Sequence, residues 1–149
     1  RRFLRRNRTG VFENSGASPA NIDIPPLPPQ REAMSQTLSL VALGGAIGSM
    51  LRYLAVAAIG APWGTALVNV LGSFAIGLLF VLLAARTGWQ PLLMTGLLGG
   101  FTTFSAFSLD TLKLVQSGQA LQAAAYVLGS VALSLIAVTL GVALAKGLQ

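Results

Sequence analysis

The sequence predicts an all-α integral membrane protein with four transmembrane helices per subunit, the third of them broken. Three observations carry this prediction. The 149 residues are 54% hydrophobic and only 9% charged, against roughly 25% charged residues in soluble domains, so too little charge remains to wet a globular surface. The apolar residues fall into four runs of spanning length with short breaks between them. The third run contains GGFTTFSAFS at 99–108, a cluster of glycine, hydroxyl and aromatic residues where lipid would favour an unbroken helix.

Composition also excludes several kinds of chemistry. Cysteine and histidine are both absent, which removes disulfides, thiolate or imidazole metal sites, Cys or His nucleophiles and His proton relays. No nucleophile–base pair is visible, and no nucleotide-binding loop, so an enzyme or a driven pump is not expected. The formal charge of +6 is unevenly spread. Residues 1–33 carry six Arg against three acids, and residues 34–149 carry four basic groups against one acid. Half the net charge lies outside the apolar body, so nucleic acid is not an expected partner.

Residues 1–33 have no apolar period and end in IPPLPP and QREA, which reads as a disordered basic, Pro-rich extension. It lacks the apolar run of a secretory signal. Residues 34–149 form the membrane domain. Met34 opens MSQTLSLVALGGAIG, a natural start for an inner-membrane protein, and truncation to Met34 is expected to keep activity. A basic arm on anionic lipid is the alternative for the extension.

The spans follow in order, at about 38–59, 65–85, 92–115 and 120–145, each at or above the ~20 residues needed to cross a bilayer. The first holds Gly44 and Gly48 as GxxxG, and Arg52, its one deep charge. Arg52 either snorkels to the nearer interface or forms an anion-attracting vestibule. The second holds Asn69, an amide that must find partners in hydrocarbon, as interhelical glue or as a donor to a passing ion. In the third span, Gly99 and Gly100 are expected to open the helix over 99–104, leaving carbonyls for a hard cation and hydroxyls and amide hydrogens for an anion. Phe104 and Phe107 then share a face with Ser108 beside them, and their ring edges carry positive potential. Ordinary aromatic packing at a glycine kink is the alternative. Asp110 is expected to face water or pair with Lys113 at i+3, which leaves no buried acid of the kind proton-coupled carriers use. The fourth span aligns Tyr126, Ser130 and Ser134 at i, i+4 and i+8, a hydroxyl track or a set of i−4 back-bonds.

The pairs Gly44/Gly48, Ser73/Gly77 and Gly96/Gly100 allow close helix approach, within or between chains, and favour an oligomer. Arg86 and Lys146 lie on the amino-terminal side and Lys113 on the other, so the positive-inside signal is weak and insertion in both orientations is expected.

The segments GGAIGSMLRY at 44–53, GTALVNVLGSFAIG at 64–77 and GGFTTFSAFSLD at 99–110 resemble the three motifs of the Fluc (CrcB) fluoride channels. The likeness covers residues 36–148, in order and at family-like spacing. It implies a multi-pass inner-membrane channel that passively exports fluoride, built as an antiparallel, dual-topology homodimer with two pores. By the resemblance, Asn69 is the pore asparagine and Phe104 and Phe107 the pore phenylalanines. Thr103 and Ser108 fall among the hydroxyls near the pore, and Tyr126, Ser130 and Ser134 match the polar track. Gly99 and Thr102 match positions whose backbone carbonyls hold a central structural sodium ion, and Arg52 matches the first-helix arginine. Asp110 stands where many relatives have glutamate, and Ala106 where threonine is commoner. Two other classes compete. A small multidrug exporter has the same size and four helices but needs a first-span glutamate, absent here. A non-transporting assembly subunit would use the glycines and hydroxyls for packing alone.

Overall fold

The structure is a computed structural model that describes residues 29–149. The predicted disordered extension over 1–28 lies outside the described residues. Helix α1 is Pro29–Ile59 and α2 is Trp63–Leu82; a 3-10 turn at Thr87–Trp89 leads into a π-helical segment, Pro91–Leu98, which runs on into α3, Gly99–Phe101. After a break come α4, Phe104–Gln116, and α5, Ala120–Gly147. Among the described residues, four stretches are long and apolar enough to cross a membrane: Gln30–Ile59, Trp63–Leu82, Thr87–Gln116 and Ala120–Gly147.

Helix α1 starts five residues before the boundary at Met34. Pro29 opens it and Glu32 lies in its first turn, a proline pre-set for helical φ and an acid facing the positive end of the dipole. Its 31 residues reach about 46 Å at 1.5 Å per residue, well beyond a hydrocarbon core of about 30 Å. The second span ends at Leu82 rather than Ala85. Gly60 and Gly118 close α1 and α4 with φ of +89° and +79°, a left-handed backbone that a side chain would strain.

Two close pairs organise the bundle. Helix α1 lies along the π segment and α3, while α2 lies along α5. Both seams are made by glycine against backbone. A Cβ on Gly100 would lie 2.6 Å from the Gly45 carbonyl, and one on Gly96 2.8 Å from that of Val41. Gly44 and Gly48 meet the backbone of Leu92 and Leu97, Gly77 meets Val138, and Gly141 meets Phe74. The small-residue pairs thus seat helices within one chain. Their pattern therefore gives no separate argument for an oligomer.

The break lies within the expected 99–104 and is narrower. Gly99–Phe101 is helical, and only Thr102 (ψ 156°) and Thr103 (φ −154°, ψ 122°) are extended. Gly100 serves close approach to α1, while the interruption falls on the two β-branched threonines, whose local alternatives to the helix are good. The buried cluster is small, centred on Phe107, Leu114, Ala123 and Tyr126. Large apolar side chains such as Leu43, Met50, Leu54, Leu128 and Leu135 point outward, as expected where the surroundings are lipid or protein.

Candidate functional site

A laterally open groove of about 760 Å³ lies where the broken third span meets α2 and α5. Asn69 and Ser73 of α2, Gly99, Thr102, Thr103, Phe104 and Phe107 of the third span, and Ser130 and Ser134 of α5 all line it. Eight of the eleven residues singled out from the sequence therefore meet in one place. Phe104 is 78% exposed and packs at 5.5 Å, centroid to centroid, on Phe107. Phe107 in turn lies 5.2 Å from the ring of Tyr126. A ladder of three aromatic rings thus runs from the open groove into the core.

Side chains hold the break. Asn69 Nδ2 donates to the Thr103 carbonyl at 3.0 Å, and Thr103 N–H donates to Asn69 Oδ1 at 2.7 Å. One carboxamide therefore satisfies both backbone groups of an extended residue, as a neighbouring strand would. Thr103 Oγ1 accepts from Ala106 N–H at 3.2 Å, which caps α4. In an uninterrupted helix these two N–H groups would close onto the carbonyls of Gly99 and Thr102. Those carbonyls have lost their helical donors to Asn69 and Thr103. Of the two carbonyls between them, that of Gly100 accepts from Arg52 Nε at 3.0 Å.

Arg52 thus neither snorkels nor lines the groove: half-buried, it reaches across to the carboxyl end of α3, where helix carbonyls attract a cation. Ser108 lies outside the groove; it is exposed and bonds back to the Phe104 carbonyl at 2.9 Å. Tyr126 is 1% exposed and sits beneath Phe107 rather than on the groove wall.

The largest correction concerns Asp110. It is 7% exposed and accepts a 2.7 Å hydrogen bond from Thr65 Oγ1, while Lys113 stays exposed. A tertiary partner on α2 prevails over the local i+3 one, because α4 turns that face against α2. The membrane body therefore does hold a buried carboxyl group. Among the described residues the buried Tyr126 hydroxyl makes no hydrogen bond. Thr65 was not singled out from the sequence, nor were Thr95 and Ser73 as groove residues. A signal existed, since Thr65, Asn69 and Ser73 repeat at i, i+4 and i+8 along one face of α2.

Among the described residues no group of three or more His, Cys, Asp or Glu gathers to hold a metal. Any cation here would meet neutral backbone oxygens, which suit hard ions.

Comparison with known proteins accords with this geometry. The sequence model of the family described as CrcB-like protein, Camphor Resistance (CrcB), matches residues 39–142. A Paracoccus denitrificans protein named fluoride-specific ion channel FluC is 51% identical over 122 residues, covering 77% of this chain and 98% of the relative. Proteins of the same name from Cereibacter sphaeroides and Rhizobium meliloti are 51% and 47% identical, covering 76% and 73% of this chain and 98% and 95% of the relatives.

Proposed function

The chain belongs to the CrcB family and is a multi-pass membrane protein, and from that premise we propose that it is a fluoride-selective passive channel exporting cytoplasmic fluoride across the inner membrane. Its relatives are named as channels, a non-enzymatic class. The observation that carries the reading is the open groove in which Asn69, Ser130, Ser134, Phe104 and Phe107 converge beside a broken helix. A small, strongly hydrated anion needs several neutral donors in a narrow path. The unpartnered Tyr126 hydroxyl is a further donor at the inner end of the aromatic ladder.

The groove is open on one side, so a second subunit would supply its missing wall. An antiparallel, dual-topology homodimer does this most simply, because the charge bias across the body is small. A structural sodium ion at the centre of that dimer fits the donor chemistry: the Gly99 and Thr102 carbonyls are hard, neutral oxygens released from helical bonding. Two such pairs, one from each subunit, would hold the broken helices together. Sodium would supply positive charge there, and Thr103 and Phe104 would position the adjoining groove.

The test is ion efflux from liposomes holding the full-length chain, with fluoride and chloride measured side by side. Fluoride efflux should be fast and chloride efflux slow. Phe104→Ile should lower fluoride efflux by about tenfold, the equivalent of losing one aromatic-edge contact of about 1.4 kcal/mol. Absence of fluoride flux from folded protein would overturn the proposal. The buried Asp110 favours a proton-coupled exporter as the second reading; flux that requires an imposed pH gradient would select it.

A further inference from the structure

We infer that Asn69 is a positioning residue for the cation site: it creates one of the cation's ligands by withholding a hydrogen bond. The inference rests on the sodium reading above. Its ground is the pairing of Asn69 with Thr103 across 34 residues of sequence, with both amide functions engaged. The Thr103 N–H can close on one of two acceptors. Directed to Asn69 Oδ1, it leaves the Gly99 carbonyl without its helical donor; directed to Gly99, it heals the helix and occupies that oxygen. The second half of the contact, Nδ2 to the Thr103 carbonyl, holds Thr103 extended so that the first half keeps its alignment. Cation binding and helix healing therefore compete for the same carbonyl, and Asn69 sets the balance. Thr103 Oγ1 does the same for Thr102 by capturing Ala106 N–H, but that capture is local to α4. Only Asn69 ties the release of a cation ligand to the packing of α2 against the third span.

A direct role as donor to the conducted ion would be indifferent to sodium, and this separates the two. The experiment is thermal melting of the full-length protein in detergent, followed by tryptophan fluorescence. Sodium chloride is titrated against N-methylglucamine chloride at constant ionic strength. The wild type should gain stability with sodium and saturate. Asn69→Ala should raise the half-saturating sodium concentration roughly tenfold to a hundredfold, as loss of an outer partner does at other metal sites. Asn69→Asp keeps an acceptor for Thr103 N–H but loses the Nδ2 half of the contact, so its half-saturating sodium concentration should fall between those of the wild type and the alanine variant. Wild-type half-saturation in Asn69→Ala overturns this inference and leaves the sodium reading standing. No sodium response in the wild type overturns both. Should the alanine variant not fold, Asn69→Leu, which likewise lacks both amide functions, is read in its place, and wild-type half-saturation there overturns the inference.

Discussion

The two halves of the third span are held by different physics. The amino-terminal half, Pro91–Phe101, lies backbone to backbone on α1 through Gly96 and Gly100, with no side chain between the two helices at the closest points. The carboxy-terminal half, Phe104–Gln116, is positioned by side chains: Thr103 caps it, Asn69 grips its entry, Thr65 bonds Asp110 and Phe107 stacks on Tyr126. One half is fixed chiefly by close backbone approach, with Arg52 as a side-chain partner, the other by several side chains. The groove runs along both halves, with Met94, Thr95, Leu98 and Gly99 before the break and Phe104 and Phe107 after it. The first half supplies the rigid wall against which the break is set.

The difference can be broken from either side. The largest effect is expected at Gly48, whose added methyl would run into the Leu97 carbonyl and the Phe101 amide. Backbone cannot yield as a side chain can, so Gly48→Ala should destabilise by about 3 kcal/mol or more, read as a lowered midpoint of unfolding in mixed micelles. On the polar half, Thr65→Val removes the donor to a buried carboxyl group and should cost about 1.5–3 kcal/mol in the same assay. Thr65→Ser, which keeps the hydroxyl, should restore most of it. If valine matches threonine, the polar half is held by packing after all. The smallest effect sharpens the glycine argument. Gly129 has nothing within 4 Å of where its Cβ would stand, so Gly129→Ala should be neutral or stabilising by up to about 1 kcal/mol from helix propensity.

What the sequence revealed follows the same division. The four spans were legible because their signal is length and hydropathy, both local. Asn69, Phe104, Phe107, Ser130 and Ser134 were legible because polar or aromatic residues at helical spacing stand out in an apolar run. The break falls within the expected 99–104, but on Thr102 and Thr103; the glycines stay helical although propensity measured in water counts glycine as a helix breaker. Beside Gly45 the same residue is what lets two helices touch. Thr102 and Thr103 become extended through Asn69, a partner 34 positions away, and nothing local encodes that. Asp110 failed for the same reason: its partner Thr65 is 45 positions distant, while Lys113 lay close enough to mislead. The start of α1 at Pro29 did carry a local signal, proline followed by an acid in the first turn, hidden by the Pro-rich composition preceding it.

The way the helices pair has a consequence for biosynthesis. The intimate partners are interleaved along the chain, α1 with the π segment and α3, and α2 with α5. The α1–α2 hairpin, made before either of these partners, contains neither of the two seams; its own close point is Gly64 of α2 against Val56 of α1. Helix α1 must wait until about residue 100 has been made, and α2 until Val138 and Gly141 have entered the bilayer. Non-local pairing of this kind delays consolidation until loop closure has occurred. The groove, which Ser130 and Ser134 of α5 help to line, can form only once that helix is in place.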